Sequence, residues 1–130
     1  MSASKSPPHT ILHFGSDQMT LIFRGWFLNS AGYRVINTGN GFDTIGMSTC
    51  KQVDAVLLDL DRNRAEVTVI AREIKRLRPE LPTLLLTDKQ AQVNGLHQLV
   101  DALVPKASGP ETLVKSLKIL LPPHATTRLA

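Results

Sequence analysis

Apolar residues come in short blocks separated by longer amphipathic stretches. The blocks are "TILHF" (10–14), "YRVIN" (33–37), "DAVLLD" (54–59), "TLLLT" (83–87) and "DALVP" (101–105). Rich in aliphatic and β-branched side chains, they have the pattern of strands buried on both faces. Between them lie segments with helical spacing. Asp17 to Ala31 is long enough for about four turns and is closed by Gly32, a helix stop. "TGNG" (38–41) is a turn ahead of a short helix from Phe42 to Thr49. Glu66 to Arg78 places Val67, Ile70, Ile74 and Leu77 on one stripe. Gln90 to Leu99 reads as a weak helix interrupted by Gly95, and Pro110 opens a last helix running to Leu121. Five strands alternating with five helices predict a parallel sheet covered on both faces, with right-handed crossovers. Functional groups of such sheets gather at the carboxyl ends of the strands. That rim holds Phe14–Asp17, Asp59–Asp61, Thr87–Asp88 and Pro105–Lys106.

A chain of 130 residues, 42% apolar and 20% charged, fits one soluble globular domain. Residues 1–9 read as a flexible arm, 10–121 as the domain and 122–130 as a tail. No apolar run is long enough to span a bilayer, and "MSASKSPPHT" lacks the apolar stretch of a signal peptide. The expected location is cytoplasmic, with no membrane partner. Cys50 is the single cysteine; it excludes a disulfide framework and is expected near the core. The net charge of +4 permits nucleic-acid contact without arguing for it. Arg62, Arg64, Arg72, Lys75, Arg76 and Arg78 read as a solvated helix face, so nucleic acid is not an expected partner. The four histidines have no metal-ligand spacing, and no phosphate loop, nucleophile elbow or paired catalytic acids occur. The chain is not expected to be an enzyme.

"DAVLLDLDRN", "LLLT" and "LVPKASGPETL" resemble the ends of strands three, four and five in response-regulator receiver domains of two-component signalling. The resemblance covers residues 10–121. It implies a flavodoxin-like (βα)5 doubly wound fold in three layers, with a parallel sheet of order 2-1-3-4-5. It places Asp59 at the phosphoacceptor position, Thr87 at the switch hydroxyl and Lys106 at the lysine after strand five. The chemistry of such a site needs each part. A carboxylate attacking a phosphoryl group brings negative charge to negative charge, which Mg²⁺ offsets. A lysine and a hydroxyl then hold phosphoryl oxygens. The implied partners are proteins: a sensor histidine kinase or a downstream regulator.

The family usually has two acidic residues directly after strand one. Counting from "ILHF" and from "AGY" leaves no room for a shift, and those positions are Gly15 and Ser16. Mg²⁺ binding is therefore expected to be weak or absent, with Asp17 and Asp61 as substitute ligands. Leu103 stands where the family has an aromatic switch partner, and Asp88 where it has a small residue. Without a metal, Lys106 is the expected partner of Asp59. Two functions follow: a phosphorelay receiver with Asp59 as acceptor, or a pseudo-receiver that serves as an interaction or dimerisation module and never carries phosphate. In helix one, Thr20, Arg24, Phe27, Leu28 and Ala31 align with inward positions, while Met19, Ile22, Phe23 and Trp26 form a second apolar stripe. Either the helix is rotated, with Trp26 half-buried at the core's edge, or the stripe is an exposed interface for a partner or a second copy. Gly25 would let another backbone approach.

Overall fold

The computed structural model describes residues 8–88 and 93–122. Five strands form one parallel sheet: β1 (Thr10–Phe14), β2 (Arg34–Thr38), β3 (Ala55–Asp59), β4 (Thr83–Thr87) and β5 (Ala102–Pro105). Their order is β2-β1-β3-β4-β5, the doubly wound flavodoxin-like arrangement implied by the resemblance to receiver domains. Four α-helices occur among the described residues: α1 (Gln18–Ser30), α2 (Gly41–Ser48), α3 (Arg64–Leu77) and α4 (Pro110–Leu120). None of the described helices is long and apolar enough to cross a membrane.

The central strands β1, β3 and β4 are buried along their whole length, which is why β3 and β4 are built on unbroken aliphatic runs, while β1 has His13 within its apolar run. Alternation along each strand splits their side chains between two cores. Leu12, Phe14, Val56, Leu58 and Leu85 pack with Val67, Ile70, Ala71 and Ile74 of α3. Ile11, Ala55, Leu57, Leu84 and Leu86 pack on the other side with Leu28 of α1 and with Leu113 and Leu117 of α4. This parity has a direct consequence for the rim. Asp59 follows Leu57 by two residues and His13 follows Ile11 by two, so both fall on the α1/α4 side of the sheet.

Local signals explain the ends of the elements. Gly32 has φ +104°, and Tyr33 N–H reaches back to the Leu28 carbonyl at 3.0 Å, the closure a left-handed residue permits after a helix. Asn40 caps α2 by accepting from Asp43 N–H at 3.1 Å, which turns "TGNG" into a strand end, a cap and a helix start. Acids ahead of two strands, Asp54 and Asp101, accept from Thr10 N–H and Thr83 N–H at 2.7 and 2.8 Å and satisfy the first amides of β1 and β4.

Several expectations are corrected. No α-helix forms over 93–99; Gly95 has φ +84°, which a helix cannot accommodate, and the segment is a run of turns. The rest of the expected Gln90–Leu99 helix, most of the arm (1–7) and most of the tail (123–130) lie outside the described residues. Cys50 is exposed, at the turn after α2; its carbonyl accepts from Arg78 at 2.8 Å and its thiol donates to Gln52 Oε1 at 3.9 Å. Arg78 is also not part of a solvated face. Its Nη1 spans the carbonyls of Ser48, Cys50 and Val53 at 2.8–3.2 Å and ties the end of α3 to that turn. The inward face of α1 is Leu21, Gly25 and Leu28, with Thr20, Arg24 and Phe27 partly covered and Ala31 exposed. Trp26 is 70% exposed, so the reading of a rotated helix with a half-buried tryptophan fails.

Candidate functional site

Asp59 ends β3 with its carboxylate 9% exposed, and a carboxylate held that far from water needs compensation. Two cations supply it from opposite sides. Lys106, the first residue after β5, lies 2.6 Å from Oδ1; Arg24, near the middle of α1, donates from Nη1 to Oδ2 at 2.7 Å. The lysine contact is a close ion pair without aligned hydrogen-bond geometry, whereas the arginine contact is a true charge-assisted hydrogen bond. Both cationic side chains are themselves largely covered, at 19% and 16% exposure.

Arg24 has a second anchor. The same Nη1 lies 3.1 Å from His13 Nε2, and His13 Nδ1 lies 3.0 Å from Asn37 Oδ1. A guanidinium can only donate, so His13 must be neutral with its proton on Nδ1, given to Asn37. Burial, and after it the charge of Arg24, pushes the His13 pKa down to about 4, against the opposing pull of the Asn37 hydrogen bond. Register makes the chain possible: His13 pairs with Asn37 across β1 and β2, and with Leu57 across β1 and β3. The result is a polar line, Asn37–His13–Arg24–Asp59–Lys106, crossing the sheet under α1.

The other rim residues are arranged around this line. Thr87 is buried at the end of β4, one residue past Leu86, the register partner of Asp59. Gly15 is buried, and a Cβ there would meet Leu21 Cδ2 at 3.0 Å and Asp59 Cβ at 3.3 Å. Ser16, Asp17, Asp61 and Asp88 are exposed. The Asp17 carboxylate is taken up by the Thr20 hydroxyl, which holds its pKa below the usual carboxylate range. Asp61 is fixed by its backbone, whose N–H donates to Asn63 Oδ1 at 2.7 Å. Leu103 is part of β5 and packs into the α3-side core, away from this line.

These donors do not fit Mg²⁺. That ion requires near-octahedral oxygen ligation, with one or two carboxylates among the ligands. Position 15 has no side chain, position 16 offers a hydroxyl, and a guanidinium occupies Oδ2 of Asp59. No cluster of three or more His, Cys, Asp or Glu suited to a metal occurs among the described residues. The expected Asp59–Lys106 pair is present. Arg24 lies on a face of α1 expected to point inward, but neither its contact with Asp59 nor the part taken by His13 is expected from the sequence. The available signal was a long cation on an inward helical stripe, facing a strand-end acid that had lost its metal ligands.

The sequence matches no protein-family model and no curated protein. Solved structures are similar. A response regulator receiver domain protein from Methanospirillum hungatei superposes with TM-score 0.75 at 21% identity, over 86% of this chain and 92% of that one. A response regulator from Thermotoga maritima, in complex with Mg²⁺ and BeF, gives 0.78 at 22% identity over 86% and 98%. A pilus assembly-related protein from Burkholderia pseudomallei gives 0.68 at 25% identity over 85% and 87%. With the strand order, the register and the placement of Asp59, Thr87 and Lys106 at three strand ends, these likenesses establish that the chain has the fold of a response-regulator receiver domain.

Proposed function

We propose that the chain is a pseudo-receiver: a signalling-type interaction module that keeps the receiver fold and acts through protein contacts without carrying phosphate on Asp59. The observation that supports this reading is Arg24 Nη1 at 2.7 Å from Asp59 Oδ2. A nucleophilic carboxylate must present a lone pair to phosphorus, and here each oxygen faces a cation. The role that Mg²⁺ would have, offsetting the acid's charge, is taken by a planar guanidinium, which donates hydrogen bonds and cannot gather the carboxylate and phosphoryl oxygens into one octahedral shell. Among the similar structures, the pilus assembly-related protein indicates that the fold is not confined to response regulators by name.

The competing reading is a phosphorelay receiver, favoured by Asp59, Thr87 and Lys106 in the family frame. Incubation with Mg²⁺ and a small-molecule phosphodonor, followed by intact mass, separates the two. The expected outcome is an unchanged mass. Gain of one phosphoryl group, lost in Asp59→Asn, would establish the phosphorelay reading instead.

The contact surface we assign is the outer face of α1. Met19, Ile22, Phe23 and Trp26 are 51–70% exposed there, an apolar stripe of the kind that marks association sites. A second copy of the chain suits it. Arg24 is the one charged residue of α1 and it is turned to Asp59, so a two-fold contact of the stripe with itself brings no like charges of this helix together. Gly25 plays no part in this contact. It faces the sheet, where a Cβ would lie 3.3 Å from the Asn37 amide. We expect a concentration-dependent dimer by sedimentation, converted to monomer by Trp26→Glu with the circular dichroism spectrum intact. A wild-type chain that stays monomeric at high concentration removes self-association from the proposal.

A further inference from the structure

Beside the Asp59 cluster, a cleft of about 370 Å³ opens between α1 and α4. Its walls are mainly apolar, formed by Phe23 and Phe27 of α1, Leu86 of β4, and Pro110 and Leu113 of α4. Arg24 and Lys106 also line it. The size is at the lower end of the range for small-molecule sites, and an apolar cleft with a few convergent polar groups is the usual composition of one.

Charge decides which ligand fits. Two cations meet in this corner and one carboxylate, Asp59, answers them. His13 is neutral, so the cluster has a net charge of +1 in a poorly solvated place. Such a surplus is best met by one anionic group. The donors for it exist: both bonds of Arg24 described above use a single nitrogen of a guanidinium with five N–H groups, and an ammonium carries three. Glu111, on the first turn of α4, is exposed and does not itself line the cleft; its carboxylate lies beside Gly109, a lining residue, where a Cβ would meet Oε1 at 3.5 Å.

We infer that this cleft is a binding site for a small amphipathic monoanion, a carboxylate on an aryl or alkyl body, held by Arg24 and Lys106 with its apolar part between Phe23, Phe27 and Leu113. The site shares two residues with the proposed function but stands on the cleft and its charge. It is tested on the unmodified chain, so its failure and the failure of the pseudo-receiver reading are distinguishable.

The probe is 4-phenylbutyrate, with neutral 4-phenylbutyramide as its isostere. Methyl resonances of the ¹³C-labelled full chain provide the readout. Saturable shifts are expected at Leu86 and Leu113, with a dissociation constant roughly in the millimolar range for a ligand of this size. The amide should bind roughly tenfold or more weakly, because a charge-assisted bond is replaced by a neutral one. Lys106→Gln should weaken the carboxylate by a similar factor and leave the amide unaffected. If Lys106→Gln fails to fold, the carboxylate–amide comparison on the wild type still decides. Equal binding of the two probes would reduce the cleft to an apolar crevice. Shifts confined to Met19 and Ile22 would mean adsorption on the outer face of α1. Either result, or no saturation, overturns the inference.

Discussion

Asp59→Ala is expected to destabilise the fold by roughly 2–4 kcal/mol, well above the 0–1 kcal/mol typical of an exposed ion pair. The reason is less the loss of attraction than what is left behind. Arg24 and Lys106 are mostly covered, and without the carboxylate two like charges face each other with no anion between them. Urea melts of the single and double variants with Arg24→Met give the coupling. Removing Arg24 together with Asp59 should recover part of the loss, because one unanswered cation goes with the acid. Asp59→Asn should be milder than Asp59→Ala, since an amide oxygen still accepts from Arg24. A loss below about 1 kcal/mol in Asp59→Ala would mean that water already screens the cluster and that Arg24 is not seated on Asp59.

The second large effect is a loss of stability in mild acid that traces to one buried side chain. His13 has no exposed surface and a pKa near 4, against 6.5 when unfolded. Between those values the unfolded chain binds a proton that the folded chain refuses, so stability falls as pH drops from about 6.5 towards 4. A shift of this size corresponds to roughly 3 kcal/mol across the window. Protonation would also remove the acceptor that holds Arg24 and set two cations 3.1 Å apart. Melts at pH 7 and pH 4.5 should show this extra loss in wild type and not in His13→Gln. Carboxylates titrating in the same range affect both proteins alike, so the difference in slope isolates His13. Parallel pH profiles for the two proteins would contradict its burial as a neutral base.

Much of the fold was legible in the sequence because the two periodicities are distinct. The buried strand β3 reads as an unbroken apolar run, and α3 as a stripe of Val67, Ile70, Ile74 and Leu77, of which the first three are buried and Leu77 is exposed. The parallel sheet follows from the alternation of strands and helices, and its order from the receiver resemblance. In the segment before β5, Gly95 is legible as an interruption of a weak helix, but the spacing does not show that its positive φ leaves no α-helix over 93–99. The face of α1 was misread for a different reason. With apolar residues on more than one side, its spacing does not select an orientation, and the choice is made by the small Gly25 fitting against Asn37 and by Arg24 reaching Asp59. In the site, Asp59, Thr87 and Lys106 were visible because each ends an apolar strand. His13 and Asn37 were not, because their roles depend on lateral register between β1 and β2. Arg24 was placed on the correct side but left without a function, since nothing in a linear pattern shows that a guanidinium two turns into a helix reaches a strand end.

In the pseudo-receiver we propose, Arg24 stands in for the divalent cation at Asp59. The most direct test is a Mg²⁺ titration of the wild-type chain, following the backbone amides of Leu60, Asp61 and Lys106. The loop after β1 offers Gly15 and Ser16 instead of acids, and Oδ2 of Asp59 is engaged by Arg24. The expected result is small, non-saturating shifts through the millimolar range, no different from those at a distant exposed acid such as Glu80. Saturation at low millimolar Mg²⁺ or below, confined to the amides around Asp59, would contradict the claim: the ion would then have displaced Arg24 and found its ligands among Asp17, Asp61 and Asp88.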